Sequence, residues 1–273
     1  MGKRHLVALV TGATSGIGLA TSNALVQAGY AVYGTTRRHA PEPTGDVSLI
    51  TCDVRSEESV ADAVGFVLDR ADQIDLLVNN AGVGLLGAVE DSSVAQHQEL
   101  FDLNVFGAIR TCKAVLPSMR RRGSGRIVNI SSVLGFIPAP FSAAYAASKH
   151  ALEAYSQSLD HEVRGQGVRV VLVEPAYTRT SFDANMLKPD HPKDEYLKAR
   201  AGADKLIEQA IAKADTPEAV AKVVIRAATA RSPALRYQAG GLARSLEVAR
   251  KLVPEKMLDG MLRKQMQLDR TGT

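Results

Sequence analysis

Two side chains one helical turn apart carry the clearest chemistry in this chain. In the stretch SAAYAASK, Ser142 to Lys149, Tyr145 and Lys149 stand at i and i+4. They share one face of the helix that an Ala-rich stretch opening on a Ser predicts. A phenol ionises near ~10 in water, and moving it toward ~7 takes about 3 units, or roughly 4 kcal/mol. A neighbouring ammonium in a partly dry cleft acts in that direction, and a phenol tuned this way can give and take a proton. Tyr and Lys four apart also form ordinary solvated helix pairs, so the setting matters. Of the seven tyrosines only Tyr145 has Lys four residues on, and the stretch follows an apolar run that ends in Ser131 and Ser132.

A second constellation lies near the N terminus. Residues 5 to 11 (HLVALVT) form an apolar run suited to a strand buried on both faces. TGATSGIG follows, and then a helical pattern that runs to Gly29, a C-terminal cap. Gly12, Gly16 and Gly18 let the backbone approach a pyrophosphate at the helix N-terminus. Their spacing differs from G-x-G-x-x-G, and glycines also serve tight turns that hold nothing. A second strand, Ala31 to Thr36, is followed by Arg37 and Arg38. Sites that prefer NAD(H) place an acid about here for the ribose 2′-hydroxyl, whereas a base accommodates a 2′-phosphate. The pair predicts NADP(H) as cofactor, with Arg37 as main phosphate partner and Ser15 as a hydroxyl donor.

Further elements position these groups. After a Pro/Gly turn at 41 to 46, VSLITCDV (47 to 54) reads as a third strand with Asp53 just beyond its end. Ser56 to Asp72 is an amphipathic helix with Ser56 as N-cap, and IDLLVNNAG is a fourth strand closing in Asn79, Asn80, Ala81 and Gly82. A long helical pattern, Ser93 to Met119, contains Asn104, which in an apolar helix must cap something locally or bond across a site. GRIVNISS (125 to 132) and the run from Val168 supply the fifth and sixth strands, and ALRYQAG (234 to 240) the seventh. Alternating strands and helices predict an α/β fold: a doubly wound, seven-stranded parallel Rossmann-type sheet with helices on both faces, in a single domain. Residues 181 to 215 read as a substrate lid, and 241 to 268 as a C-terminal extension of two basic amphipathic helices divided near Pro254.

Jointly these motifs resemble the short-chain dehydrogenase/reductase family. The chain has that family's TGxxxGxG turn at Gly12, Gly16 and Gly18, an Asp after the third strand, and NNAG at 79 to 82. It also has Asn104, Ser132 thirteen residues before the tyrosine, Tyr145 and Lys149. The resemblance covers residues 5 to about 180, with the surrounding sequence most similar to the hydroxysteroid and retinol dehydrogenase-like branch. Ala176 departs from the Gly usual after Pro175. The resemblance implies hydride transfer between a carbonyl and an alcohol, with Ser132 polarising the carbonyl oxygen and Tyr145 exchanging the proton. Lys149 would hold the nicotinamide ribose and Asn104 a water. It further implies cofactor contacts from Ile17, Asp53, Val54, Asn80, Ala81, Gly82, Pro175, Thr178 and Thr180. By analogy it implies a homodimer or homotetramer built through the helices around Asn104 and Tyr145.

Composition narrows the partners. With 45% hydrophobic and 23% charged residues and a net charge of +4, the 273 residues carry no nucleic-acid footprint. The cluster Arg120 to Arg122 fits a helix C-terminus. Cys52 and Cys112 lack metal spacing and suit a reducing compartment, hence a cytoplasmic expectation. No transmembrane span, signal peptide or metal site is read, and His97, His150 and His161 lack ligand spacing. Val133, Leu134, Phe136, Phe141, Tyr177 and the loop from Gly84 to Gly87 predict an apolar wall for a hydrophobic ketone or alcohol. The rival readings are a cofactor-binding regulatory protein without turnover, and a related enzyme that reduces a C=C bond or epimerises a sugar.

Overall fold

Runs of aliphatic and β-branched residues form seven strands: β1 (Leu6–Val10), β2 (Tyr30–Thr36), β3 (Val47–Thr51), β4 (Leu76–Asn79), β5 (Gly125–Ile130), β6 (Val168–Pro175) and β7 (Arg236–Ala239). They lie in the order β3-β2-β1-β4-β5-β6-β7, and each neighbouring pair is parallel. In this computed structural model residues 5–37, 46–182 and 185–265 are described. Arg38, most of the 41 to 46 turn, residues 183 and 184 of the lid and 266 to 268 of the extension lie outside them.

The period-two alternation of each strand divides the core between two faces. Val7 and Leu9 of β1 face one side, where they pack with α2 (Glu57–Ala71), α4 (Gly107–Arg122) and α5 (Ala143–Val163). Ala8 and Val10 face the other, against α1 (Gly16–Gln27) and α7 (Pro217–Thr229). The chain reverses its direction of travel across the sheet between β1 and β4, so a crevice opens at their carboxyl ends. Several expected caps are present. Ser56 Oγ accepts from the Ser59 amide and Thr216 Oγ1 from the Ala219 amide, while Gly29 just past α1 takes φ +88°.

Two local expectations need correction. The pattern from Ser93 to Met119 is not one helix. It divides into α3 (Val94–Phe101), a π turn over Asp102–Phe106, and α4. The wider turn lets the Asn104 side chain leave the helix and bond the chain at Val83, donating to its carbonyl and accepting from its amide at 2.9 Å each. Ser142 precedes α5 but its side chain makes no capping bond. The start of α5 is instead held through Ser148 and Lys149, described below.

The far end of α5 is fixed by Asp160, which is fully buried. Its Oδ1 accepts from the Val170 amide and from Arg169 Nε, both at 2.9 Å, and Arg164 closes on Oδ2. Burial alone would raise this carboxyl, but the two guanidinium groups and the amide hold it below the usual range. Asp160 thereby ties the helix carrying Tyr145 and Lys149 to β6.

The excursion after β6 contains α6 (Leu197–Ala212) and is stitched to the segment before α3. Buried Asp91 accepts from the amides of Ala88 and Lys193 and pairs with Arg200 at 2.7 Å. Asp190 accepts from Ser93, and the Leu187 amide donates to the Gly84 carbonyl. After β7 come α8 (Gly241–Leu252) and α9 (Glu255–Gln265), with Val248, Leu252, Met257 and Met261 exposed. None of the described helices is long and apolar enough to cross a membrane.

Replacing Asp160 with Ala would strand a buried amide and two cations, and should cost about 3 to 5 kcal/mol of unfolding free energy. Urea titration measures this, and a loss under ~1 kcal/mol, the level of an exposed ion pair, would show that Asp160 is not the anchor.

Candidate active site

Four carboxyl ends of the sheet, β1, β4, β5 and β6, meet one helix, α5, and every residue singled out for proton chemistry lies where they converge. The turn after β1 is built by close backbone approach. Gly12 and Gly16 take positive φ of 65° and 52°, which disfavours any side chain. A Cβ on Gly18 would fall 2.1 Å from the Gly12 carbonyl oxygen, so α1 can start against the turn only with glycine there. Ser15 stands at the N-cap with extended backbone and no side-chain capping bond. Ile17, half-buried, follows in the first turn of α1, whose leading amides have no acceptor within the helix.

The NNAG segment braces this turn. Asn80 Nδ2 donates to the Thr11 and Gly12 carbonyls at 2.9 and 3.1 Å, and the amides of Asn80 and Ala81 both donate to Thr11 Oγ1 at 3.0 Å. Gly82 leaves room for Asn104, whose Oδ1 would sit 3.1 Å from a Cβ there. Asn79 turns the other way, into a buried chain. Thr111 Oγ1 donates to Asn79 Oδ1 at 2.6 Å, Asn79 Nδ2 to Asn129 Oδ1 at 2.9 Å, and Asn129 Nδ2 to Ser156 Oγ at 2.7 Å. That chain crosses α4, β4, β5 and α5 in one line. Single-residue motif reading does not find it, because each member looks like a polar residue in an apolar element.

Tyr145 and Lys149 emerge from α5 toward the ends of β5 and β6. Lys149 is buried and its Nζ donates to the Ile130 carbonyl at 2.9 Å, 5.7 Å from the centre of the Tyr145 ring. Burial pushes the ammonium down to about 8, against the opposing pull of Glu153. The other side of Tyr145 meets Phe182, with ring centres 5.9 Å apart. Ser132, at the end of β5, accepts from the Leu134 amide at 3.1 Å, which leaves its own hydrogen to donate. Besides bracing Val83, Asn104 Nδ2 donates to Ser148 Oγ at 3.2 Å, linking the π turn to α5. Val54 is buried and lines a recess with Asn104, Ile130 and Lys149.

The remaining expected cofactor residues flank this centre. Arg37 is exposed just past β2, where its charge reaches Asp53. Asp53 accepts from the Nε and Nη2 of Arg55 and from its backbone amide, and these bonds, with the charges of Arg55 and Arg37, keep its carboxyl low despite partial burial. Pro175 ends β6. Thr178 donates to the Ala176 carbonyl, and Thr180 Oγ1 accepts from the Phe182 amide. A Cβ on Gly16 would lie 3.1 Å from Thr180, so the loop after β6 folds back onto the glycine turn. These features fit a dinucleotide. Glycines strip the turn of side chains, the first amides of a helix have no acceptor within it, and a cation stands beyond β2.

The excursion after β6 supplies apolar side chains that motif reading did not name. Met186 and Phe182 pack against Gly84, where a Cβ would meet Met186 Cγ at 2.8 Å and Phe182 Cε1 at 3.0 Å. Pro189 does the same at Gly87, 2.4 Å from a Cβ there. The signal in the sequence is the pair of glycines facing a Phe, a Met and a Pro a hundred residues away, which only the fold makes visible.

Comparison with known proteins agrees with this geometry. The short chain dehydrogenase family profile matches residues 6–190. A 3-ketodihydrosphingosine reductase of Bacteroides thetaiotaomicron is 33% identical over 94% of this chain and 96% of its own. Retinol dehydrogenase 8 of Bos taurus is 36% identical over 84% of this chain and 79% of its own. A crystal structure of a short-chain dehydrogenase from Streptomyces avermitilis superposes with a TM-score of 0.81 at 32% identity, covering 100% of both chains. A metagenomic short-chain oxidoreductase solved in complex with NADP gives a TM-score of 0.67 at 28% identity, over 86% of this chain and 98% of that one. On its sheet, its glycine turn and its matched sequence, the chain belongs to the short-chain dehydrogenase family of oxidoreductases, in its retinol and steroid dehydrogenase-like branch.

Proposed function

We propose that this chain is an NADP(H)-dependent oxidoreductase that interconverts a hydrophobic ketone or aldehyde and the corresponding alcohol, with Tyr145 as the proton donor and acceptor. The observation that carries the reading is Lys149, an ammonium buried one turn below Tyr145 at the edge of the sheet where the glycine turn opens. A buried charge is costly, and this one is placed where it favours an ionised phenol.

The bound dinucleotide supplies or takes up the hydride. The chain's own residues do the rest. Backbone amides at Ser15, Gly16 and Ile17 would receive the pyrophosphate, Arg37 the 2′-phosphate, and Thr180 with the loop from Pro175 to Thr178 would hold the nicotinamide end. Ser132, its hydrogen free, donates to the substrate oxygen and polarises it. Tyr145 gives that oxygen its proton during reduction and removes it during oxidation. Lys149 steadies the tyrosinate by charge. Asn104 fixes the Val83 loop and the start of α5, and borders the recess in which a water can join Lys149 to solvent.

Phe182, Met186, Leu85 and Phe141 favour an apolar substrate, with residues 181 to 215 as its lid. Two relatives carry names that denote apolar molecules, a ketodihydrosphingosine and retinol. That likeness supports a long-chain or polycyclic carbonyl over a polar one.

Tyr145→Phe should lower carbonyl reduction by at least ~100-fold, the scale of a lost general acid, while NADPH binding, read by fluorescence, stays within a few-fold. Turnover comparable to the parent would remove Tyr145 as proton donor. Arg37→Asp should lower the kcat/KM ratio for NADPH over NADH by at least about tenfold, which is 1.4 kcal/mol. An unchanged ratio would remove Arg37 from the cofactor site.

A further inference from the structure

One turn beyond Lys149 on the same helix lies a group of charges for which the reaction above has no use. Glu153 is on α5, Glu174 is the residue of β6 just before Pro175, and Arg236 opens β7. Both carboxyls are buried, Glu174 completely, whereas Arg236 reaches the surface. Arg236 Nε lies 3.0 Å from Glu153 Oε2 and 3.3 Å from Glu174 Oε1, so one N–H stands between two carboxyl groups. Gln238 Nε2 donates to Glu174 Oε2 at 2.9 Å, and Arg236 Nη2 is drawn off to Gln157 at 3.1 Å. Three buried oxygens are left without a well-aligned partner: Glu153 Oε1, Glu174 Oε1 and Ser131 Oγ. The backbone at Gly135 brings the first and last together, since a Cβ there would lie 3.2 Å from Glu153 Oε1 and 2.6 Å from Ser131 Oγ.

The charges do not balance at this end of α5. Two carboxylates against one guanidinium leave a net negative charge in a dry place, which is unfavourable unless a proton or a second cation neutralises it. The second cation is at hand in Lys149, four residues before Glu153, and the buried pair can itself take up the proton. The charged groups that face the pair are Lys149 from α5 and Arg236 from β7. Ser131, after β5, and Gln238, on β7, are the neutral groups beside them.

Resting on the proposed role of Lys149, we infer that Glu153 and Glu174 share a single proton beneath the active site and act as positioning residues that set the charge on Lys149. When the pair holds its proton, one negative charge faces Arg236. When the pair releases it to solvent, a second negative charge is present and the ammonium of Lys149 is favoured. Directions of titration agree. Burial first, and then the charge of Glu153, raise Glu174, burial likewise raises Glu153, and Glu153 in turn pulls Lys149 upward.

The signs for stability follow. A carboxyl raised by folding contributes stability that is complete below its ordinary range and is lost as pH rises through the raised value. Lys149, lowered by folding to about 8, regains stability only above that pH.

The test uses the whole chain labelled with [13Cδ]glutamate and [13Cε]lysine, without substrate. One glutamate resonance should titrate well above the ordinary carboxylate value of about 4.3, and should vanish in Glu174→Gln. Glu153→Gln should lower the Lys149 midpoint by about one unit, whereas Glu174→Gln, which leaves Glu153 ionised, should raise it. Opposite signs from two isosteric variants are not expected of structural damage, and either variant alone still gives a signed shift. The alkaline limb of kcat should move with the Lys149 midpoint. If all glutamates titrate in the ordinary range, or both variants shift Lys149 alike or not at all, the inference is wrong. Absence of turnover on any carbonyl would instead count against the proposed reaction, while the two titrations would still judge the pair.

Discussion

The site depends on keeping one ammonium out of water. Moving a lysine charge into a protein interior is among the more costly local arrangements, and the usual outcome is that the group loses its proton. Lys149 is lowered in this way to about 8, and three neighbours offset part of the lost solvation. The Ile130 carbonyl replaces one water, the face of Tyr145 lies 5.7 Å away, and Glu153 supplies a counter-charge one turn on. Because these three contacts come from β5 and from α5 itself, Lys149 is well placed only while the helix and the strand keep their register. A shift of a single residue along α5 would turn the side chain by about 100°, away from the strand ends.

That register is set by polar groups more than by apolar packing. Aliphatic contacts between α5 and the sheet, such as Leu159 and Val163 against Val168 and Val170, are tolerant of small slides. Directional bonds are not. Asp160 fixes the far end of α5 to β6, Ser156 joins it to Asn129 in mid-sheet, and Ser148 meets Asn104 near the start. Ser156 and Asp160 stand one turn apart, and Ser148 lies about two turns before Ser156, so the three bonds are spread along most of the helix. Asn104 is thus a brace between two helices and a loop, whatever part it takes in the proposed proton path. The π turn is what lets its amide reach both Val83 and Ser148.

How much of this is legible in the sequence depends on the range of the interaction. Strands, the glycine turn and the Tyr145 and Lys149 pair are encoded within a few residues by period-two apolar runs, by glycine placement and by helical spacing, and all are found where those signals put them. Thr216 and Ser56 cap their helices for the same reason. The break at Asn104 was not legible, because an apolar stretch of period 3.6 does not show which turn will widen to satisfy a partner at Val83. Nor was the Asn79, Asn129 and Ser156 chain, whose members are 27 and 50 residues apart. Glu153 and Glu174 look like surface carboxylates in their local sequence, and only the arrival of β7 with Arg236 shows that they are neither exposed nor fully paired.

The same distinction explains why a fold so readable leaves its substrate unread. The segment after β6 is held by Asp91, which is buried and bonds Ala88, Lys193 and Arg200. With the segment pinned there, the side chains proposed to meet a substrate, Phe182 and Met186 over Gly84, are not among the groups that hold it by hydrogen bonds. Met is adaptable in shape, and a Phe packed on a glycine can be exchanged without disturbing a hydrogen bond. Shape selection is thereby separated from stability. The glycine turn and the Tyr145 and Lys149 pair are bound to fixed geometry by the chemistry they serve, whereas the wall needs only to be apolar and of the right volume, a demand that many sequences meet.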